Sequence, residues 1–119
     1  EAINLVASSY GKKYIKKGDE VLITELEHHS NYVPWNYLRT DKGAVIKFAK
    51  VNENGDVEIE EIKKLITNKT KIIAITHISN VTGAILPITK IVDLAKEKNI
   101  PLWFLGCLCR FHFRILLLF

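Results

Sequence analysis

The sequence has 119 residues, with Lys+Arg 17 against Asp+Glu 13 for a formal net charge of +4, and 48% of its residues are hydrophobic and 25% charged. That balance belongs to an ordinary globular chain of one domain, and it excludes collagen-like, low-complexity and disordered classes. The two cysteines, Cys107 and Cys109, stand too close together to staple a fold, which excludes a disulfide scaffold.

The chain opens at Glu1 and carries no Met, so its own N-terminus is expected upstream; no signal-peptide pattern is visible. Residues 1–16 read as mostly helical, with Ile3, Val6, Tyr10 and Tyr14 at helical spacing. The lysines at 12, 13, 16 and 17 read as a solvated helix end before the Gly18-Asp19 turn. They lack the aromatic interleaving of a nucleic-acid surface, and no nucleic-acid partner is expected.

Residues 20–24 are a short buried strand, and Ser30 or Asn31 caps a second helix to about Thr40, with Pro34 in its first turn. Residues 44–49 alternate as a strand, and 52–55 form a turn. A helix over 58–67 places Ile59, Ile62, Leu65 and Ile66 on one stripe. The run 71–76 (KIIAIT) is the strongest strand, 87–98 an amphipathic helix and 100–104 a fourth strand. Strands alternating with helices predict an α/β fold, a mostly parallel sheet flanked by helices.

The final stretch departs from this pattern. It has no acidic residue after Glu97, and 102–119 is long enough to suggest a membrane span. Arg110 and Arg114 would each cost about 2.5–3.5 kcal/mol near a helix centre, so no membrane anchor is expected. Residues 105–119 read instead as a divergent or truncated apolar tail prone to aggregation.

In open α/β sheets ligands bind beyond the carboxyl ends of the strands. This rule selects 26–31 (LEHHSN), 77–83 (HISNVTG) and 105–107 (LGC). His28 and His29 could ligate a metal with His77, but adjacent histidines on a loop point apart and no carboxylate or cysteine completes the set. No metal is expected, and a helix-entry loop with one histidine packed and one exposed stands beside any ligand role. Asn80 to Gly83 reads equally as a tight turn in which Gly83 takes φ > 0. Cys107 and Cys109 read as free thiols. There is no Gly-rich phosphate loop and no nucleophile elbow around any serine.

The segments EAINLVA at 1–7, GDEV at 18–21, EHHSNYVPW at 27–35 and THISNVTG at 76–83 resemble the cysteine desulfurases of the sulfur-mobilisation type, in the same order and spacing, and residues 87–95 continue the match. The resemblance implies a partial large domain of a fold-type I pyridoxal-phosphate enzyme over residues 1–104. It implies that His28 stacks on the pyridine ring of pyridoxal 5′-phosphate and serves catalysis, and that Asn80 lies near the cofactor's phenolic oxygen. A flat imidazole over a π system, and an amide donating to a phenolate, are sound pairings.

The implied activity removes sulfur from L-cysteine, releasing alanine and loading a cysteine persulfide for iron–sulfur cluster assembly. Implied partners are L-cysteine, a sulfur-acceptor or iron–sulfur scaffold protein, and a second copy in a homodimer. A selenocysteine lyase or other relative of the fold, and a non-catalytic remnant, stand as alternatives. The implied compartment is the cytoplasm for a bacterial source and a plastid-like organelle for a eukaryotic one.

The family pattern Asp-Gly-x-Gln, whose aspartate holds the pyridinium nitrogen, reads Leu105-Gly106-Cys107-Leu108 here. The cofactor-bonding lysine, the persulfide cysteine and the phosphate-holding threonines of the family have no counterpart in the sequence. The chain as written is therefore expected to be inactive.

Overall fold

The structure, a computed structural model, describes residues 2–105, with Leu105 through its backbone alone. The expectations for Gly106, Cys107, Leu108, Cys109 and the rest of the tail lie outside the described residues, as does that for the Leu105 side chain.

Four strands form one parallel sheet: β1 (Glu20–Thr24), β2 (Val45–Ala49), β3 (Thr70–Thr76) and β4 (Leu102–Leu105), in the order β2-β1-β3-β4. Period-2 alternation sorts their side chains into two cores. Val21, Ile23, Ile72, Ala74 and Trp103 pack on one face with Ile3, Val6, Trp35 and Leu38. Leu22, Ile73, Ile75 and Leu102 pack on the other with Ile62, Ile91, Leu94 and Ala95. β1 and β3 are apolar nearly throughout because both faces are covered. β2 is the edge strand at one side, and Val45 and Phe48 are exposed there.

Helix α3 (Val33–Lys42) carries the β1–β2 crossover over the first of these faces, through Trp35 and Leu38. Helices α4 (Ile59–Leu65) and α5 (Ile88–Glu97) cover the other face through Ile62, Ile91, Leu94 and Ala95. The α/β expectation therefore holds, strand by strand.

Three local expectations are corrected. The N-terminal helix is α1 (Ala2–Val6), a π-helical turn (Ala7–Gly11) and α2 (Lys12–Tyr14), ending before Lys16. The π turn brings Gly11 against Leu38, where an added Cβ would lie 2.5 Å from Leu38 Cδ1. Ser8 and Ser9 donate their hydroxyls to Leu5 O within the same stretch. Second, neither Ser30 nor Asn31 caps α3, which follows a 3₁₀ turn (His29–Asn31), starts at Val33 and reaches Lys42. Asn31 is fully buried and turned to the sheet, and Ser30 is held by His28. Third, β4 begins at Leu102: Ile100 N–H donates back to Ala95 O at the end of α5, and Pro101, whose carbonyl accepts Ile73 N–H, has no N–H of its own to give a ladder.

Candidate functional site

β1 and β3 are neighbours, yet the connection leaving β1 crosses one face of the sheet and the one leaving β3 crosses the other. Their carboxyl ends thus flank a topological switch point, where diverging loops open a crevice. Residues 25–31 leave β1 and residues 77–86 leave β3, one on either side of that point.

On the β1 side Glu27 turns inward and ties this loop to the end of β3. Its Oε1 accepts the Thr24 hydroxyl at 2.6 Å and the Thr76 backbone N–H, from the last residue of β3, at 2.9 Å. Its Oε2 accepts Asn31 Nδ2 at 2.5 Å. Asn31 Nδ2 also donates to Ala74 O at 3.3 Å, and Asn31 Oδ1 accepts the Trp35 indole N–H at 3.2 Å. Burial pushes the Glu27 carboxyl above the usual carboxylate range, and the hydrogen bonds from Thr24, Asn31 and Thr76 pull it only part of the way back.

Glu27 points inward, and extended backbone at His28 (φ −70°, ψ 152°) turns the next side chain outward. His28 is exposed. Its Nδ1 accepts the Ser30 backbone N–H at 3.2 Å and lies 3.0 Å from Ser30 Oγ. An Nδ1 that accepts a backbone N–H carries no proton, so the neutral ring holds its hydrogen on Nε2. His29 is exposed too, its ring 6.0 Å from that of His28 and at 88° to it. The alternative of one packed and one exposed histidine does not describe this pair. His29 instead borders a cleft of ≈ 370 Å³ with Thr24, Glu25, Glu27, Tyr32 and Phe48.

On the β3 side the chain makes a short hairpin, closed by an antiparallel bridge between Ile78 and Ile85. Buried Ser79 organises it: its Oγ accepts Val81 N–H and Thr82 N–H, both at 3.3 Å, and its N–H donates to Ala84 O at 2.9 Å. Gly83 takes φ +73°, as the turn reading expects, and its N–H donates to Ser79 O at 3.0 Å. This turn presents Asn80 at its tip, exposed. His77 does not join His28 and His29 as a third ligand; its ring meets Phe104 edge-on at 6.0 Å. Among the described residues, no three His, Cys, Asp or Glu side chains gather as a metal site would require.

His28 and Asn80 therefore stand on the two loops that flank one crevice, each with its polar side chain exposed. An exposed planar imidazole and an exposed amide fit a flat, polar aromatic ligand such as pyridoxal phosphate. Sequence reading overlooked Glu27 and Asn31 as organisers of this site. No local spacing signalled them, because the partners that fix them, Ala74 O and the Thr76 N–H, lie 43 and 49 residues further along the chain. A separate cleft of ≈ 740 Å³ lies at the other end of the strands, beside Thr67, Thr70, Lys71 and Pro101 where β3 and β4 begin. No helix among the described residues is long and apolar enough to cross a membrane.

Residues 1–104 match the aminotransferase class-V family. A protein of Halalkalibacterium halodurans named "Probable cysteine desulfurase" is 44% identical over 98 residues, covering 82% of this chain and 24% of the relative. The solved structure of the cysteine desulfurase CsdA from Escherichia coli superposes with a TM-score of 0.82 at 28% identity, over 87% of this chain and 26% of that one. A mutant of the C-DES enzyme with glycine covalently linked to its PLP cofactor shares the fold, with a TM-score of 0.75 at 18% identity over 87% of this chain and 28% of that one. The chain thus spans about a quarter of the length of these proteins.

Proposed function

Because the chain belongs to the aminotransferase class-V family, we propose that it supplies one wall of the pyridoxal 5′-phosphate site of a cysteine desulfurase, with His28 against the cofactor ring and Asn80 at its phenolic oxygen. The observation that carries this reading is the placement of His28 and Asn80 on the loops following adjacent parallel strands, joined beneath by the 2.9 Å Thr76–Glu27 bond. The similarity to cysteine desulfurases of Halalkalibacterium halodurans and Escherichia coli supports the choice of activity.

When bound, the cofactor supplies an electron sink for chemistry next to the amino-acid nitrogen of L-cysteine. The chain's own residues do simpler work. The His28 ring offers a flat face for stacking, and its Nε2 is the atom from which a proton can be given or taken. The Asn80 amide offers a donor to an anionic oxygen. The sulfur acceptor or iron–sulfur scaffold protein, the homodimer, and a bacterial cytoplasmic or plastid-like location belong to the same proposal for the intact enzyme.

The test is an NMR titration of the full chain with pyridoxine 5′-phosphate. This analogue lacks the aldehyde, so the chain's 14 lysines cannot trap it covalently. Saturable shifts at His28, Ser30 and Asn80 are expected, weakened by His28→Ala. Shifts confined to other parts of the chain, or none, would overturn the reading.

A further inference from the structure

We propose that Glu27 is a positioning residue, whose half-buried carboxylate sets the orientation and tautomer of the His28 ring by pinning the loop at 25–31 to β3. The proposal rests on the reading of His28 as the residue facing the cofactor, and it concerns a residue that does not itself reach the crevice mouth.

The chain of contacts is continuous. Glu27 Oε1 holds the N–H of Thr76, and Glu27 Oε2 holds Asn31 Nδ2. Asn31 is fixed again by Ala74 O and by the Trp35 indole, and it is fully buried. Glu27 and Asn31 are thus two anchored posts, and His28, His29 and Ser30 span the gap between them. Within that span Asn31 N–H donates to His28 O at 2.8 Å, closing a tight turn. The turn places Ser30 N–H against His28 Nδ1. An anchored Asn31 therefore fixes Ser30, Ser30 selects the ring nitrogen that accepts, and the remaining Nε2–H is aimed away from the loop.

The same carboxylate governs where the His28 side chain points. In extended backbone neighbouring side chains leave on opposite sides, so drawing Glu27 inward sends His28 outward to the exposed side of the loop. A loop end anchored only by its own turn would leave this choice to solvent competition. Here it is decided by partners in β3, 43 and 49 residues further along the chain. The arrangement also ties the His28 loop to the strand from which the Asn80 hairpin departs, so the two walls keep one spacing.

The experiment compares the full chain with its Glu27→Ala and Glu27→Gln variants by NMR. In the unaltered chain, ring ¹⁵N shifts should show Nδ1 unprotonated and Nε2 protonated in the neutral His28. In Glu27→Ala the His28 ring should become a mixture of tautomers, and the Ser30 and Thr76 amides should exchange at least about ten-fold faster. Core amides such as those of Leu22 and Ile73 should keep their protection. In Glu27→Gln the retained oxygen should preserve Thr76 protection, while the new NH₂ faces Asn31 Nδ2 as donor to donor and still disturbs Ser30 and the His28 ring.

If either folded variant leaves the His28 ring and the Ser30 amide unchanged, Glu27 is only a tie between strands and the proposal is overturned. Should Glu27→Ala fail to fold, Glu27→Gln alone decides by the same criterion. Failure of the cofactor reading looks different: pyridoxine 5′-phosphate then leaves His28 of the unaltered chain unshifted, whatever the Glu27 variants do to its ring.

Discussion

Glu20 Oε1 and Lys47 Nζ meet at 2.9 Å, joining the first residue of β1, at the amino end remote from the crevice, to the middle of β2. Glu20 Oε2 also accepts the hydroxyls of Thr67 at 2.6 Å and Thr70 at 3.1 Å, beside the register shift between β1 and β3. Lys47 Nζ in turn donates to Leu65 O at the end of α4. One carboxylate therefore ties β1, β2, the start of β3 and the α4–β3 connection together. Glu20→Gln is expected to lower stability by about 1–3 kcal/mol at neutral pH, because charge-assisted bonds are lost in a mostly buried place. Urea unfolding of the two proteins measures this.

The Glu20 and Glu27 carboxyls give opposite pH signatures. At Glu20 burial raises the pKa, but hydrogen bonds from Thr67, Lys47 and Thr70 with the Lys47 charge outweigh it, so the net shift is down from 4.5. A depressed folded pKa contributes stability above the unfolded value that vanishes as pH falls through the folded one. The deficit of Glu20→Gln should therefore shrink as the pH drops below about 4. At Glu27 the net shift is up. Its ionised form then penalises the native state above the raised pKa, and the penalty fades as pH falls toward 4.5. Relative to the unaltered chain, Glu27→Gln should thus look worse as the solution is acidified over that window. Stability measured across pH for the three proteins checks both signs.

Trp35 is fully buried and its indole N–H is the donor to Asn31 Oδ1. Trp35→Phe removes that donor and leaves a buried amide oxygen unpaired, at a cost of about 1–3 kcal/mol beyond any loss of packing. The same variant should loosen the Ser30 amide, which hydrogen exchange reads directly. An unchanged Ser30 amide would show that Glu27 and Ala74 suffice to hold Asn31.

Gly11 is buried in the π turn against the tip of Leu38. A single methyl displaces only the flexible end of that leucine, and Ala gains about 1 kcal/mol of helix propensity over Gly. Gly11→Ala is expected to fall within about 1 kcal/mol of neutral. Gly11→Val adds branched volume that Leu38 cannot clear, and overpacking should destabilise by about 1–3 kcal/mol. Thermal melts of both variants test the close approach.

Asn80 is exposed, and so is Val81 beside it. Asn80→Ala should leave stability within about 0.5 kcal/mol while diminishing the response to pyridoxine 5′-phosphate. A large loss of stability would reassign Asn80 from ligand contact to turn formation.

Local pattern alone determined much of this protein. The run KIIAIT could only be a strand covered on both faces, and Ile88, Ile91 and Ala95 could only be the inner stripe of a helix, because period and polarity are written within a dozen residues. The same pattern, with the rule about strand ends, located the loops carrying His28 and Asn80. Tertiary structure decided the rest. The order β2-β1-β3-β4 follows from which faces the crossovers cover, and no single segment encodes it. The inward turn of Glu27 depends on an N–H that β3 presents 49 residues later. The burial of Asn31, which removed it as a cap for α3, depends likewise on Ala74 and Trp35. A polar side chain goes where its partners are, and those partners exist only once the strands have paired.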